Sequence, residues 1–532
     1  MKMNELLQRI DRNILKQIIG VKRVNSISAI LNNDNQYDLV SLVEAFYGDS
    51  IFDDKRIRKE IIKLLPPEEI KKLSINFCGK TYSTIEAAAI QLSTKGWSTS
   101  SDFPSVLLKK LGLELKFLPK RTQRLNTCEF VNPQSTYYPL FEYQNDVKDG
   151  IINKIESGIN RFIMQMPTGA GKTRTSLEAI ISYNQMYDIL NNGDSFIWIA
   201  HTEELCEQAI ESLKNIWFHT QSDQLRIVRY YGGFEPTEDE LYGSFVFSSY
   251  QKLCSKKSEK FLTLLRESCR VVIIDEAHKA TAYTYSKMIE RLCSSGACLI
   301  GLTATPGRAL SNKLENSELA LFFNREIVTL NFKKNPIEAL RDMKVLSKIE
   351  HQTIESEINF YSPEDVSNDK PEFTAKQLNL LGINPTRNRI IVEILKREIK
   401  SGNPCLVFSC SVEHSIVLAG VLNFIGIKTA YIDSTIRKSQ RRKLIADFKN
   451  EEYDILINFG VLSTGFDAPR IKTVLISRPT TSIVLYSQMI GRGLRGSKMG
   501  GNEYCKIIDI KDNYSDFGPI ENIYNFFDGY WN

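Results

Sequence analysis

From residue 131 onward the chain repeats one texture. Short continuous apolar runs, "FIMQM", "SFIWIA", "FVFSS", "RVVIID" and "CLIGLTA", are each bounded by turn residues. Helical patterns such as "RTSLEAIISYNQM" and "ELCEQAIESLKNI" alternate with them. Strands that are apolar throughout and separated by helices are the signature of a parallel sheet covered on both faces. After "NREIVTLNF" the chain turns polar and helical, with a junction near 335, and then the alternation restarts in "CLVFSC", "TAYID", "YDILINF", "TVLIS" and "CKIIDI". Ahead of 131 the period is different. Apolar positions recur at three and four in "NELLQRIDRNILKQIIG" and "IRKEIIKLL", with Pro66-Pro67 as a break between helices. The expected fold class is α/β: two tandem parallel-sheet lobes, 131–335 and 336–532, behind a helical N-terminal accessory domain, 1–130.

A chain of 532 residues is too long for one core, and 42% hydrophobic with 25% charged residues is the composition of an ordinary globular protein. The opening "MKMNELLQRIDRN" places Glu5, Arg9, Asp11 and Arg12 where a signal peptide needs apolar residues. No apolar run approaches the length of a membrane span. The ten cysteines include no C-x-x-C pair and no histidine at ligand spacing. Free thiols in a reducing cytoplasm, and neither a zinc nor an iron–sulfur site, are therefore expected. Positive charge is unevenly placed: residues 1–130 hold 21 Lys and Arg against 15 Asp and Glu, whereas the remainder is balanced. It is densest in "KKLGLELKFLPKRTQR", which suits either a phosphate-tracking surface or a solvated linker.

The chemistry is concentrated in "QMPTGAGKTRT", which follows an apolar run and precedes a helical pattern. That context is what a phosphate-binding loop requires. Thr168, Gly169, Ala170 and Gly171 would close backbone N–H groups around the β- and γ-phosphates at a helix N-terminus. Lys172 supplies a point charge, and Thr173 offers a hydroxyl to Mg²⁺. The strict pattern wants glycine at 166, where this chain has Met166. Adjacent carboxylates, Asp275 and Glu276, end the strand pattern "RVVIID". One suits the metal, and its neighbour can orient and deprotonate a water.

"GAGKT", "DEAH", "TAT" at Thr303–Thr305, "STGFD" at Ser463–Asp467 and "QMIGRGLR" stand in the order found in superfamily 2 helicases. The chain resembles that family over about 131–510, and its DEAD/DEAH branch with the XPB-type and type I and III restriction-enzyme motors in particular. The resemblance implies RecA-like lobes, ATP and Mg²⁺ as cofactors, and nucleic acid as partner. It implies that Gln144 reads the adenine edge, although Phe141 and Glu142 stand where this branch often has arginine-proline. It makes His278, Thr303 and Thr305 coupling residues, and it places Thr464, Gly465 and Asp467 against nucleotide and nucleic acid.

"QMIGRGLRG" also matches the dinucleotide fingerprint through Gly491, Gly493 and Gly496, but "SKMGGNEY" after it is too broken for the helix that fingerprint needs. The resemblance instead makes Arg492 and Arg495 arginine fingers, with Gln488 in their network. Thr202, Ser249, Ser409 and Thr464 match strand-gripping positions; each is equally a residue type that caps strands and helices. "RKSQRRK", Arg437 to Lys443, adds charge that also suits a solvated helix face. "GDSIFDDKR" is a faint echo of a nuclease core in a helical setting, read here as a charged loop.

Two readings follow. The first is a nucleic-acid-stimulated ATPase that translocates on DNA in preference to RNA, and serves bacterial defence or repair. In it, residues 1–130 bind substrate or a protein partner. The second is an ATP-switched clamp without net movement.

Overall fold

The structure is a computed structural model that describes residues 2–32, 37–119, 125–132, 139–220, 223–307, 313–356, 373–461, 469–511 and 527–531. It divides into two compact units, each assembled from two stretches of chain: 1–124 with 374–460, and 125–373 with 461–532. The strands are β1 (Cys128–Val131), β2 (Arg161–Gln165), β3 (Ser195–Ala200), β4 (Leu225–Tyr230), β5 (Phe245–Ser249), β6 (Cys269–Asp275) and β7 (Cys298–Thr303). They continue with β8 (Ile327–Val328), β9 (Lys348–Glu355), β10 (Cys405–Phe408), β11 (Thr429–Ile432), β12 (Ile455–Asn458), β13 (Thr473–Ile476) and β14 (Tyr504–Lys511).

In the unit 125–373 with 461–532, eight strands form a sheet in the order β1-β4-β5-β3-β6-β7-β2-β8. Only β1 is antiparallel, to β4. The inner strands β3, β5 and β7 are buried along their whole length, which is why they read as unbroken apolar runs. Parallel alignment brings the C-terminal tips of β2, β3, β5, β6 and β7 to one edge, the place where open α/β sheets bind ligands. Arg229 on β4 is wholly buried and donates to Glu129 on β1 and to Glu207, so its charge is paired inside the sheet. The same unit holds the parallel strands β13, β14 and β9 in that order.

Strand β9 departs from the sequence expectation of a polar, helical stretch after residue 332. A helix spans Pro336–Asp342, but "KIEHQTIE" then pairs in parallel with β14 from Lys348↔Tyr504 to Glu355↔Lys511. None of its residues is buried, so it carries no apolar alternation for a sequence reading to find.

In the other unit, helices cover most of the first 111 residues, from Met3–Leu7 to Phe103–Leu111. Their ends are signalled locally. Asp11 and Asp38 accept hydrogen bonds from the first-turn amides of Arg12–Ile19 and Leu39–Tyr47, and Pro67 opens Pro67–Cys78, which Gly79 closes. Two of the N-terminal helices, Val21–Leu31 and Leu39–Tyr47, pack on the helix Val412–Phe424, beside the parallel strands β11, β12 and β10. Arg23 grips Glu413 with two hydrogen bonds of 2.7 and 2.8 Å, and Arg389 donates to the carbonyls of Ala29 and Ile30. Phe46 lies so close to Gly420 that a Cβ there would sit 2.5 Å from its ring. Among the described residues, no helix is long and apolar enough to cross a membrane.

Candidate active site

Strand β2 leads into the loop Met166–Gly171, and the helix Lys172–Tyr187 follows at once. Gly169 and Gly171 adopt φ of 87° and 91°, in the left-handed region that favours glycine. At Gly171 space is a second constraint: a Cβ would lie 2.3 Å from the amide nitrogen of Gln144. That amide donates to Ala170 O at 3.2 Å, and the Tyr143 hydroxyl donates to the same carbonyl at 3.0 Å. Gln144 Oε1 meanwhile accepts from Phe141 N. The residue expected at the adenine edge thus braces the phosphate loop from the start of its own helix. Lys172 is half-buried, with Nζ 3.5 Å from Met166 O. Burial lowers its pKa, and the nearby Glu276 and Asp275 only partly oppose this. Thr173 stands beside it on the first helical turn.

Asp275 ends β6 and is 8% exposed. Glu276 follows with φ of 54°, a conformation that costs a non-glycine residue about 1–3 kcal/mol and is characteristic of functional sites. Its N–H donates to Asp275 Oδ1 at 3.0 Å. Its carboxylate accepts from Gln488 Nε2 at 3.2 Å, and His278 Nδ1 lies 3.4 Å from the same oxygen. Two adjacent carboxyls in a buried site divide their titration. Burial and the Glu276 charge push Asp275 up to about 7. Burial also pushes on Glu276, but the charges of His278, Lys172, Lys279 and Arg492 outweigh it and hold that carboxyl below its ordinary value. Thr303 and Thr305 close the tip of β7 on each other: the Thr303 hydroxyl donates to Thr305 O and accepts from Thr305 N.

The arginine turn follows the helix Ile483–Ile490. Arg492 Nε donates to Gln488 O at 3.3 Å, and its guanidinium is near enough to Glu276, Asp275 and Lys172 for its charge to act on all three. Arg495 turns back along its own loop and donates to Met499 O. A segment that showed no sequence signal frames this turn. Leu346 bridges Arg495, Ser347 N donates to Leu494 O at 2.8 Å, and Ser347 Oγ lies 2.7 Å from Arg495 O and from Asn502 O. Tyr143 was likewise given no role in the sequence reading, although it directly precedes Gln144 in "FEYQ".

Gly491 is where the turn meets the phosphate loop, since a Cβ there would stand 2.6 Å from Thr168 Cγ2. Gly491→Ala is accordingly expected to lose about 1–3 kcal/mol in denaturant unfolding, the range for overpacking. Thr168→Ser, which removes the opposing methyl, should recover part of that loss in a double-mutant cycle.

The candidate strand contacts are placed differently. Thr202 Oγ1 accepts from Leu205 N at 3.3 Å and caps the helix Glu203–Thr220, and Ser249 Oγ accepts from Lys252 N at 3.3 Å at the tip of β5. Ser409, in the other unit, is buried, with its hydroxyl 2.6 Å from Ser415 Oγ. Thr464, Gly465 and Asp467 lie outside the described residues, as do Lys120, Arg121 and Arg124.

The donor set fits a magnesium nucleotide. Positive-φ glycines at a helix N-terminus suit phosphate oxygens, and a hydroxyl with a carboxylate supplies the hard oxygen ligands Mg²⁺ takes alongside phosphates and water.

The type III restriction enzyme res-subunit family matches residues 137–308, and the helicase conserved C-terminal domain matches 386–497. The Saccharomyces cerevisiae protein IRC3, provisionally named an ATP-dependent helicase, is 29% identical over 70% of this chain and 51% of its own length. The EcoKI endonuclease subunit, a type I restriction enzyme of Escherichia coli K12, is 22% identical over 94% of this chain and 47% of its own. The chain thus spans about half the length of these relatives. In fold it resembles the helicase MrfA crystallised with DNA, with a TM-score of 0.50 and 14% identity over 75% of this chain and 53% of that one. With both domain matches in order on parallel sheets, the chain is similar to the superfamily 2 helicases.

Proposed function

We propose that this chain hydrolyses ATP to drive movement along nucleic acid. The observation that carries the reading is the convergence of Lys172, the Asp275–Glu276 pair, Gln488 and Arg492 on one buried site. In it Thr173 and Asp275 would hold Mg²⁺, which when bound would draw charge from the phosphates, and Lys172 with the loop 168–171 would hold the phosphates themselves. Glu276 accepts the proton of the attacking water, and its preference for the ionised form suits a base. Arg492 neutralises charge developing on the γ-phosphoryl, and Arg495 joins it when the nucleotide is bound. His278, Thr303 and Thr305 relay the state of the site. Residues 131–335 form the ATP-binding lobe, 336–532 the second lobe, and 1–130 an accessory domain for substrate or a protein partner.

DNA is the preferred track, supported by the likeness to restriction-enzyme subunits, and a defence or repair role in the cytoplasm follows by analogy. ATPase rates with single-stranded DNA, duplex DNA and RNA test the track. Triplex displacement on duplex DNA tests the motion. Displacement is expected, whereas ATP-dependent retention without displacement would mean a clamp.

A further inference from the structure

Asp509 is the only acidic residue in the apolar run "CKIIDI", and the chemistry above does not use it. It sits on β14 between the buried Ile508 and Ile510. Its Oδ2 accepts the Tyr486 hydroxyl at 2.6 Å, and His351 Nε2 on β9 lies 2.5 Å from the same oxygen. The strand register explains the meeting. Strand β9 runs parallel to β14 with His351 opposite Ile507 and Thr353 opposite Asp509, so His351 and Asp509 share one face of the sheet. Tyr486 is buried, whereas the His351 side chain is exposed.

Tyr486 belongs to the helix Ile483–Ile490, which leads into the arginine turn. Residues two apart on a helix point about 200° apart, so Tyr486 faces away from Gln488, whose amide donates to Glu276. The turn is seated on the same strand, since a Cβ on Gly493 would run into Cys505 Sγ. Strand β14 thus holds this element at two points, Cys505 and Asp509, about 13 Å apart along the strand. The apolar contact of Ile483, Val484, Met489 and Ile490 has no direction, whereas a hydrogen bond fixes the roll of the helix about its axis. A helix with its side chains has a radius of about 5–6 Å, so a roll of about 10° would carry Gln488, and the turn that bears Arg492, by about 1 Å. Misplacement of that size can cost about 10²-fold in rate.

We infer that Asp509 is a positioning residue for hydrolysis: through Tyr486 it sets the roll of the helix that presents Gln488 to Glu276 and Arg492 to the γ-phosphoryl. The phenol donates and keeps its proton, and no covalent bond changes. The nucleotide is held by a loop on another strand, β2, so the effect falls on turnover and not on nucleotide affinity. The inference rests on the reading of Glu276, Gln488 and Arg492 as an ATPase site.

Tyr486→Phe removes the hydroxyl and keeps the ring, and Asp509→Ala removes its acceptor. Single-turnover ATP hydrolysis is measured with enzyme in excess, beside the Kd for a fluorescent ATP analogue and thermal unfolding. Tyr486→Phe is expected to lower the rate about tenfold while the Kd stays within about twofold. Asp509→Asn, which keeps an acceptor for the phenol, should retain more activity than Asp509→Ala. Tyr486→Phe combined with Asp509→Ala should be no slower than Asp509→Ala alone. In an Arg492→Ala background, Tyr486→Phe should cost about twofold or less, because the principal group it positions is gone. A wild-type rate in Tyr486→Phe would overturn the inference. So would an equal loss in both backgrounds, or a loss that the unfolded fraction accounts for, since a merely structural bond behaves in those ways. A wild-type protein that hydrolyses no ATP, with or without nucleic acid, would instead remove the ATPase reading on which the inference stands.

Discussion

Glu276→Gln should leave a folded protein that binds ATP and turns it over about 10²–10⁴-fold more slowly, the contribution of a well-placed general base. The substitution preserves size and hydrogen-bonding reach, so the Gln488 Nε2 contact at 3.2 Å need only re-pair. What disappears is the anion. The left-handed φ of 54° at this position is a property of the backbone and survives the change, which keeps the amide aimed where the carboxylate was. Single-turnover hydrolysis, combined with nucleotide binding measured by fluorescence, separates the two effects. A variant hydrolysing at the wild-type rate would remove Glu276 from the chemistry, and one that no longer bound ATP would show it to be a phosphate-loop support.

Arg492→Ala is expected to cost about 10³–10⁵ in kcat, the value of a guanidinium that stabilises a transferring phosphoryl group. Arg492→Lys should rescue little of it, because a point charge on a flexible stem does not reproduce a planar fork. The two arginines are not equivalent here. Arg492 acts electrostatically on Glu276, Asp275 and Lys172, whereas the Arg495 Nε is committed to Met499 O. Arg495→Ala should therefore lower kcat less than Arg492→Ala. Rates measured with saturating ATP and DNA check the order, and a larger loss at Arg495 would reverse the assignment of the principal finger.

Much of the sheet was legible because burial on both faces leaves a continuous apolar run: β3, β5 and β7 are wholly buried and were read as strands from that alone. Strand β4 escaped because Arg229 sits in its middle, and a buried arginine looks like a surface one until its partners Glu129 and Glu207 are seen. Strand β9 escaped for the opposite reason, having nothing buried to show. In the site, the phosphate loop and the carboxylate pair declared themselves through local spacing. The bracing of Ala170 O by Tyr143 and Gln144 did not, since it joins segments 26 and 27 residues apart that share no pattern. Ser347 was invisible because a lone serine says nothing about which carbonyls it will hold. Nor does a glycine in a loop declare whether it is there for a turn or, as Gly491 is, for a neighbour with no room to spare.

The unit made from the two ends of 1–124 and 374–460 sets a timetable for biosynthesis. Arg23 must wait for Glu413, 390 residues later in the chain. At about 5–20 residues per second, a ribosome takes roughly 20–80 s to deliver that partner. Until then the side of the early helices that will cover Gly420 and its neighbours is exposed to whatever else is nascent. The helices of 1–124 are thus made well before the stretch 374–460 that completes their unit, and a holdase at the exit tunnel would find its natural client there.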